Sequence, residues 1–167
     1  SNNIFVNGKS NWKNKVKKNK KIKIGYFSSC FHTHAEMLLL IGVLEKHDKN
    51  NFEIIAYSLN NRIEDKMTER IKSAVNSFHE ISHYDDRQIY QFARNDNLDI
   101  AIYLNGYTEN GRYNIFMDKV APIQINFLGY PGSLGLDFFD YIIADKIVIP
   151  EIFKKFYTEN VIYLPNT

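Results

Sequence analysis

The sequence predicts an α/β protein, a three-layer sandwich built around a mostly parallel sheet. Short apolar runs rich in β-branched residues recur along the chain, and stretches with the spacing of an amphipathic helix separate the earlier ones. Several of these runs end on loops bearing glycine or proline. Strand, helix, strand at this spacing implies right-handed crossovers, with helices on both faces of the sheet. No internal repeat is present.

The first strand is Ile22 to Phe27, and Ala35 to His47 follows it with Met37, Leu38, Ile41 and Leu44 at the spacing of one helix face. Phe52 to Leu59 reads as the second strand. Glu64 to Asn76 is amphipathic through Met67, Ile71 and Val75, after which Ser77 to Ile81 makes a short strand and Asp86 to Asn95 another helix. Ile100 to Asn105 is a short buried strand, bounded by Asn97 and broken by Gly106. Ile123 to Leu128 is a second, entered through Pro122 and ended by Gly129-Tyr130-Pro131-Gly132, where glycine opens backbone conformations closed to other residues and proline fixes φ. Tyr141 to Ala144 and Val161 to Leu164 complete the strands. Between them lies a short helix opened by Pro150 and running through Phe156.

At 167 residues, 44% hydrophobic and 14% aromatic, the chain can bury one substantial core and is close to a single-domain length. The longest apolar patch, Met37 to Leu44, falls short of the roughly 18 residues of a spanning helix, and the N-terminal residues lack the apolar stretch of a secretory signal, so no membrane partner is expected. The single cysteine, Cys30, can form no internal disulfide and no zinc-type pair, which points to a reducing, cytoplasmic setting. Residues 1–20 hold six lysines and no acid, so the total of +2 leaves the remainder at a formal −4. Lysines can neutralise nucleic-acid phosphates. Here they come with no arginine, only Phe5 and Trp12 as aromatics and no binding fold around them. Residues 1–20 are therefore read as a basic linker or tail ahead of a domain spanning 21–167, with no nucleic-acid partner expected.

The first strand runs into Gly25-Tyr26-Phe27-Ser28-Ser29-Cys30-Phe31-His32-Thr33-His34, and no G-x-G-x-x-G dinucleotide fingerprint follows. Serines, a thiol and two histidines instead stand just before a helix, where backbone N–H groups and the helix dipole favour an anion. The loop could serve a phosphate or supply a general base. Cys30, His32 and His34 alternate as metal ligands do, but there is no second cysteine and the nearby carboxylate, Glu36, falls in the first turn of the predicted helix, so no metal is expected. A cysteine nucleophile would need a histidine base and an electropositive site. His34 could equally cap the helix, and His79 and His83, four apart across a predicted strand end, read as structural. The two glycine-bearing loops after Leu104 and Leu128 would lie at the carboxyl ends of strands, where open α/β sheets bind ligands. Turns serving chain reversal alone fit the same residues.

Several blocks in register then carry a resemblance. Asn105-Gly106-Tyr107-Thr108, Arg112, Ala121-Pro122-Ile123-Gln124, Leu128-Gly129-Tyr130-Pro131-Gly132 and Asp140-Tyr141-Ile142-Ile143-Ala144-Asp145 resemble the O-linked N-acetylglucosamine transferase family. Ser28-Ser29-x-Phe31-x-x-His34 and Tyr157-x-Glu159 before Leu164-Pro165 fit it too, so the likeness covers roughly Lys21 to Thr167. It implies the Rossmann-like N-terminal lobe of a GT-B glycosyltransferase, in which two such lobes face each other across a cleft. Such enzymes transfer a sugar from a nucleotide donor, here expected to be UDP-N-acetylglucosamine, to a serine or threonine hydroxyl of a protein, with inversion and with neither metal nor cofactor. The expected partners are the protein acceptor, the nucleotide sugar, a C-terminal lobe and tetratricopeptide repeats in the parent chain. Since that second lobe would bind most of the nucleotide, this lobe alone is expected to be inactive.

By the same resemblance His34 is the catalytic histidine. Leu128, Gly129 and Pro131 form the loop beside the donor sugar, and Thr108 and Arg112 line the cleft. The chain departs from the family at Cys30, where an aspartate is expected, and at Glu109, which replaces a lysine; Lys119 for arginine and Ser133 for threonine are milder. A thiol does not replace an acceptor-only carboxylate without a strongly lowered pKa. The alternative expectation is a non-catalytic binding or docking module that kept the fold. A free-standing flavodoxin-like or receiver-type domain would need a flavin site or an aspartate cluster at a strand end, and neither has a signal in the sequence.

Overall fold

The computed structural model describes residues 20–60 and 64–165. All but the last residue of the predicted basic tail lies outside them. The elements in chain order are β1 (Ile22–Ser28), α1 (Ala35–Lys46), β2 (Phe52–Ser58), α2 (Lys66–Ala74), β3 (Ser77–Glu80), α3 (Asp86–Asn95), β4 (Ile100–Tyr103), β5 (Ile123–Phe127), β6 (Tyr141–Ala144) and β7 (Asn160–Tyr163), with 3-10 turns at Tyr113–Phe116 and Glu151–Phe156. The strands form one seven-stranded sheet in the order β3-β2-β1-β4-β5-β6-β7, and every neighbouring pair is parallel.

Alternation along the strands sends side chains to two cores. On one face Ile24, Tyr26, Ile54 and Ala56 pack against Met37, Leu40, Ile41 and Leu44 of α1 and Met67 and Ile71 of α2. On the other, Phe27, Ile55, Tyr57 and Tyr103 pack against Ile89 and Ala93 of α3 and against Ile115 and Phe116. The three layers agree with the sequence reading; several details do not. Leu38, expected on the inward face of α1, is 63% exposed. The apolar run from Met37 to Ile41 left the phase of the helix ambiguous, and the packing resolves it. The short helix expected after Pro150 is present and is 3-10, and none of its residues is buried, so no apolar stripe fixes an α-helical face there. The turn at Tyr113–Phe116 was not anticipated, because four residues are too few to show a period.

Polar groups inside this frame are satisfied by specific partners. Gln124, fully buried, donates from Nε2 to the carbonyls of Phe116 (3.0 Å) and Phe138 (2.6 Å) and accepts the Val120 N–H at 2.8 Å. Asp140 accepts the Gln124 N–H at 2.7 Å and the Lys119 ammonium at 2.7 Å, joining the ends of β5 and β6. These bonds give a packing role to the Gln124 and Asp140 blocks of the resemblance. Among the described residues no helix is long and apolar enough to cross a membrane.

The strand order places a crevice. From β1 the chain moves outward to β2 and β3, then returns to lay β4 on the opposite side of β1. Loops leaving the carboxyl ends of β1 and β4 therefore diverge, which opens a ligand-sized gap at the reversal point. Gly25, in the middle of β1, lets its neighbours close over the strand: a Cβ there would stand 2.6 Å from Leu98 Cδ1 and 2.9 Å from Tyr57 Cε2. Gly25→Ala is expected to destabilise the fold by about 1–3 kcal/mol through overpacking. Urea denaturation checks this, and an unchanged midpoint would mean that Leu98 and Tyr57 shift at no cost.

Candidate active site

The wall of the crevice begins where β1 ends. Ser28 Oγ accepts the Cys30 N–H at 2.9 Å and donates to Glu36 Oε1 at 2.8 Å. Asn105, fully buried past β4, accepts the Ser29 N–H on Oδ1 (2.8 Å) and donates from Nδ2 to Ser29 Oγ (2.7 Å). From the other side α2 holds the same loop. Asp65, its N-cap, accepts the Thr33 N–H at 2.7 Å, and the Thr68 hydroxyl donates to the Phe31 carbonyl at 2.9 Å. The loop is thus fixed at both flanks by side chains from distant segments.

His34 is the N-cap of α1. Its backbone is extended, and its Nδ1 accepts the Glu36 N–H at 3.2 Å, satisfying one of the donors left open at a helix start. A backbone amide can only donate, so Nδ1 is the unprotonated nitrogen and neutral His34 carries its proton on Nε2. The helix cap that the sequence left open is therefore real, and it dictates what the imidazole can do.

The facing wall comes from the loops after β4 and β5. Gly106 adopts φ 58°, and a Cβ there would lie 2.3 Å from Tyr130 Cβ. Thr108 Oγ1 donates to the Asn105 carbonyl at 2.8 Å. Leu128 holds φ 75°, an uncommon conformation for a side chain of its size. Next to it the Gly129 N–H donates to the Leu104 carbonyl at 3.0 Å, and a Cβ on Gly129 would fall 2.2 Å from that oxygen and 2.5 Å from Glu36 Oε2. The loop that follows is pinned by Glu159, buried, whose carboxylate accepts the Leu134 N–H and the Ser133 hydroxyl, each at 2.7 Å. The Tyr157 hydroxyl donates to the Pro131 carbonyl at 2.9 Å. The Tyr157-x-Glu159 block of the sequence is this anchor.

Between the walls lies a cavity of about 400 Å³. Of the residues named from the sequence, His34, Thr108, Leu128 and Gly129 line it, and so do Cys30 and Glu109. Arg112 and Pro131 do not. Arg112 donates from Nε to Asp86 at 2.7 Å and from Nη2 to the Tyr84 carbonyl at 2.8 Å, securing its loop to the start of α3. His79 packs its ring on Phe92 at 5.0 Å, consistent with a structural role.

Two residues that shape the site were given no role in it by the sequence. Asn105 reads as the end of a strand, and nothing local reveals that its amide reaches Ser29. Glu36 was set aside as a residue of the first helical turn, where acids commonly complement the dipole. Its signal was position: it precedes Leu40 by one helical turn and Leu44 by two, on the inward stripe. Glu36 is indeed only 6% exposed and lines the cavity. Burial pushes its carboxyl up to about 7, while the Ser28 hydrogen bond pulls the other way.

Ligand atoms of Cys30, His34 and Glu36 lie within 4.8 Å of one another. The trio has the composition of a three-ligand cation site. Its hydrogen bonds do not favour that use, because a metal-binding imidazole donates its second N–H outward. Here Nδ1 is committed as an acceptor, so binding a cation would cost the helix its cap.

Comparison with known proteins follows from this geometry. A family model described as glycosyl transferase family 41 matches residues 3–167. The chain is 33% identical over 147 residues to a probable UDP-N-acetylglucosamine–peptide N-acetylglucosaminyltransferase, SEC, of Arabidopsis thaliana, covering 88% of this chain and 15% of that protein. To the UDP-N-acetylglucosamine–peptide N-acetylglucosaminyltransferase of Caenorhabditis elegans it is 31% identical over 153 residues, covering 91% of this chain and 13% of the relative. A solved mutant O-GlcNAc transferase of Thermobaculum terrenum superposes with a TM-score of 0.83 at 26% identity, over 88% of this chain and 28% of that one. The chain thus spans a small part of each relative.

Burial of Glu36 has a pH signature. With its folded pKa raised to about 7 from an ordinary 4.5, the folded state holds more protons than the unfolded state between those values, so stability falls as pH rises through that window and levels off above it. The loss is on the order of 3 kcal/mol. Glu36→Gln should remove it, so thermal melts of the variant and the parent should diverge as pH rises from 5 to 8, with the variant more stable. Parallel curves would mean that the Glu36 carboxyl is solvated.

Proposed function

The chain belongs to glycosyl transferase family 41, and we propose that it forms the N-terminal lobe of the catalytic region of a nucleotide-sugar-dependent protein O-glycosyltransferase. The donor proposed is UDP-N-acetylglucosamine, the sugar nucleotide in the names of its relatives, and the acceptor is a serine or threonine hydroxyl of a protein. The observation that carries this reading is the cavity at the strand-order reversal. Its size falls in the range of about 300–1,000 Å³ typical of small-molecule sites, and the loops after β1, β4 and β5 converge on it, the first two with polar side chains.

The wall also supports the view that the site is shared with a second lobe. Among the described residues it offers histidines, carboxyls, a thiol and backbone amides, and no lysine or arginine. A diphosphate leaving group needs positive charge or many donors in the transition state, so that charge has to come from a facing surface. In the proposed reaction the acceptor oxygen bonds to the anomeric carbon as the bond from that carbon to the diphosphate oxygen breaks. The electron pair leaves with the nucleoside diphosphate and the hydroxyl proton passes to a base. A single displacement of this kind inverts the anomeric centre and requires no metal from these residues.

His34 stands exposed at the mouth of the cavity. With Nδ1 capping α1, its Nε2–H is the part free of the helix, suited to donate to an oxygen of the sugar or the diphosphate. Leu128 and Gly129 form the rigid edge against the donor. In the full-length parent, UDP-N-acetylglucosamine and a serine- or threonine-bearing peptide should yield a peptide heavier by one N-acetylhexosamine. His34→Asn retains an N-cap acceptor and removes the imidazole, so it should lower turnover by about 10²–10⁴-fold. Wild-type rates in that variant would remove His34 from the chemistry, and no transfer by the wild type would leave the chain a binding module.

A further inference from the structure

Glu36 has no task in the reaction just described, yet it is placed where one is needed. Its Oε1 is held by the Ser28 hydroxyl at 2.8 Å, and its Oε2 lies so close to Gly129 that a Cβ on that residue would stand 2.5 Å away. Its Oε1 is thus held by a hydrogen bond, its Oε2 packs against the Gly129 backbone, and the carboxyl faces the same cavity as the donor-side loop. Orientation of this kind costs entropy, and burial disfavours the charge.

A transfer to a hydroxyl needs a proton acceptor in the cavity. His34 is poorly set for it, since the lone pair of Nδ1 receives the Glu36 N–H and Nε2 carries the proton. Cys30 would have to act as a thiolate, and the wall around it carries the carboxyls of Glu36 and Glu109 and no lysine or arginine, which is the opposite of the electropositive surroundings that activate a thiol. Glu109 is exposed on the loop after β4, away from the ordered hydrogen bonds of the Ser28 network. Glu36 alone among these four combines burial, a fixed orientation and access to the cavity.

We propose that Glu36 is the catalytic proton acceptor: its carboxylate takes the proton of the acceptor hydroxyl while the hydroxyl oxygen bonds to the anomeric carbon and the diphosphate departs with the electron pair. The proton remains on the Glu36 carboxyl and passes to solvent once the products leave. The proposal rests on the glycosyltransfer reading above. A carboxyl pushed up to about 7 by burial also suits the task, because a general base is most effective when its pKa is near the working pH. The titratable groups that face it are His34 and Cys30 in its own cluster, His32 and Glu109 on the cavity wall, and Tyr103 from β4.

The test uses the full-length parent with UDP-N-acetylglucosamine and a peptide acceptor. Glu36→Gln keeps an oxygen for the Ser28 hydroxyl and cannot take a proton. It should lower kcat by about 10²–10⁴-fold, leave KM for the donor within a few-fold, and abolish the acid limb expected near pH 7 in the kcat/KM profile of the wild type. Glu36→Asp should retain the limb with a reduced rate. Wild-type transfer that persists in Glu36→Gln, or an acid limb that survives the substitution, overturns this proposal alone. Absence of transfer by the wild type overturns the underlying reading and the proposal with it, and the melting curves of the variants show in each case whether the fold is intact.

Discussion

Everything the site does depends on the clamp between Asn105 and Ser29. At the strand-order reversal the sheet sends one loop toward α1 and another toward the turn at Tyr113, and nothing in the backbone ladder obliges their first residues to stay together. The buried Asn105 amide supplies that obligation through two hydrogen bonds, one to the Ser29 N–H and one to its hydroxyl. Out of contact with water, neither group can exchange its partner cheaply. With Ser29 fixed, Ser28 can hold both the Cys30 amide and Glu36, and the distance between the two walls is set. Asp65 and Thr68 then trim the far side of the loop.

The cavity that results is electrically lopsided. Its carboxyls and imidazoles suit proton movement and sugar hydroxyls, and it lacks the cations that a diphosphate calls for. Glu159 and Asp65 are engaged by backbone amides that they orient, so they act as fasteners for loops. Lys119 and Arg112, the cations that lie nearest these loops in sequence, are paired with Asp140 and Asp86. These two cations are thus engaged in holding loops, and among the described residues no lysine or arginine lines the cavity.

The layers of the fold were legible because strand runs and helical spacing are local signals. Strand existence was read correctly down to the four-residue β3 and β7, with ends displaced by a residue or so. Leu38 was misplaced because consecutive apolar residues carry no phase. The site was legible only in outline. Glycines at 106 and 129 announced close approach, and the structure supplies the neighbours, Tyr130 and the Leu104 carbonyl. Arg112, expected to line the cavity, is turned to Asp86, a pairing between residues 26 positions apart that no local pattern records. Glu36 was hidden for a different reason: an acid at a helix start already has an ordinary explanation, and only the inward stripe contradicts it.

The clamp has one more consequence, for the order in which the molecule assembles. Ser29 and Asn105 are 76 residues apart, and three crossovers, by way of β2 and β3, separate β1 from β4 along the chain. Contacts that close so long a loop come late and slow a folding reaction, since the entropy of closure precedes the reward. A chain with β1, β2 and β3 already paired would have much of its apolar core and no cavity. The cavity needs the loops after β1, β4 and β5 together, so a chain in which only β1, β2 and β3 are paired lacks it.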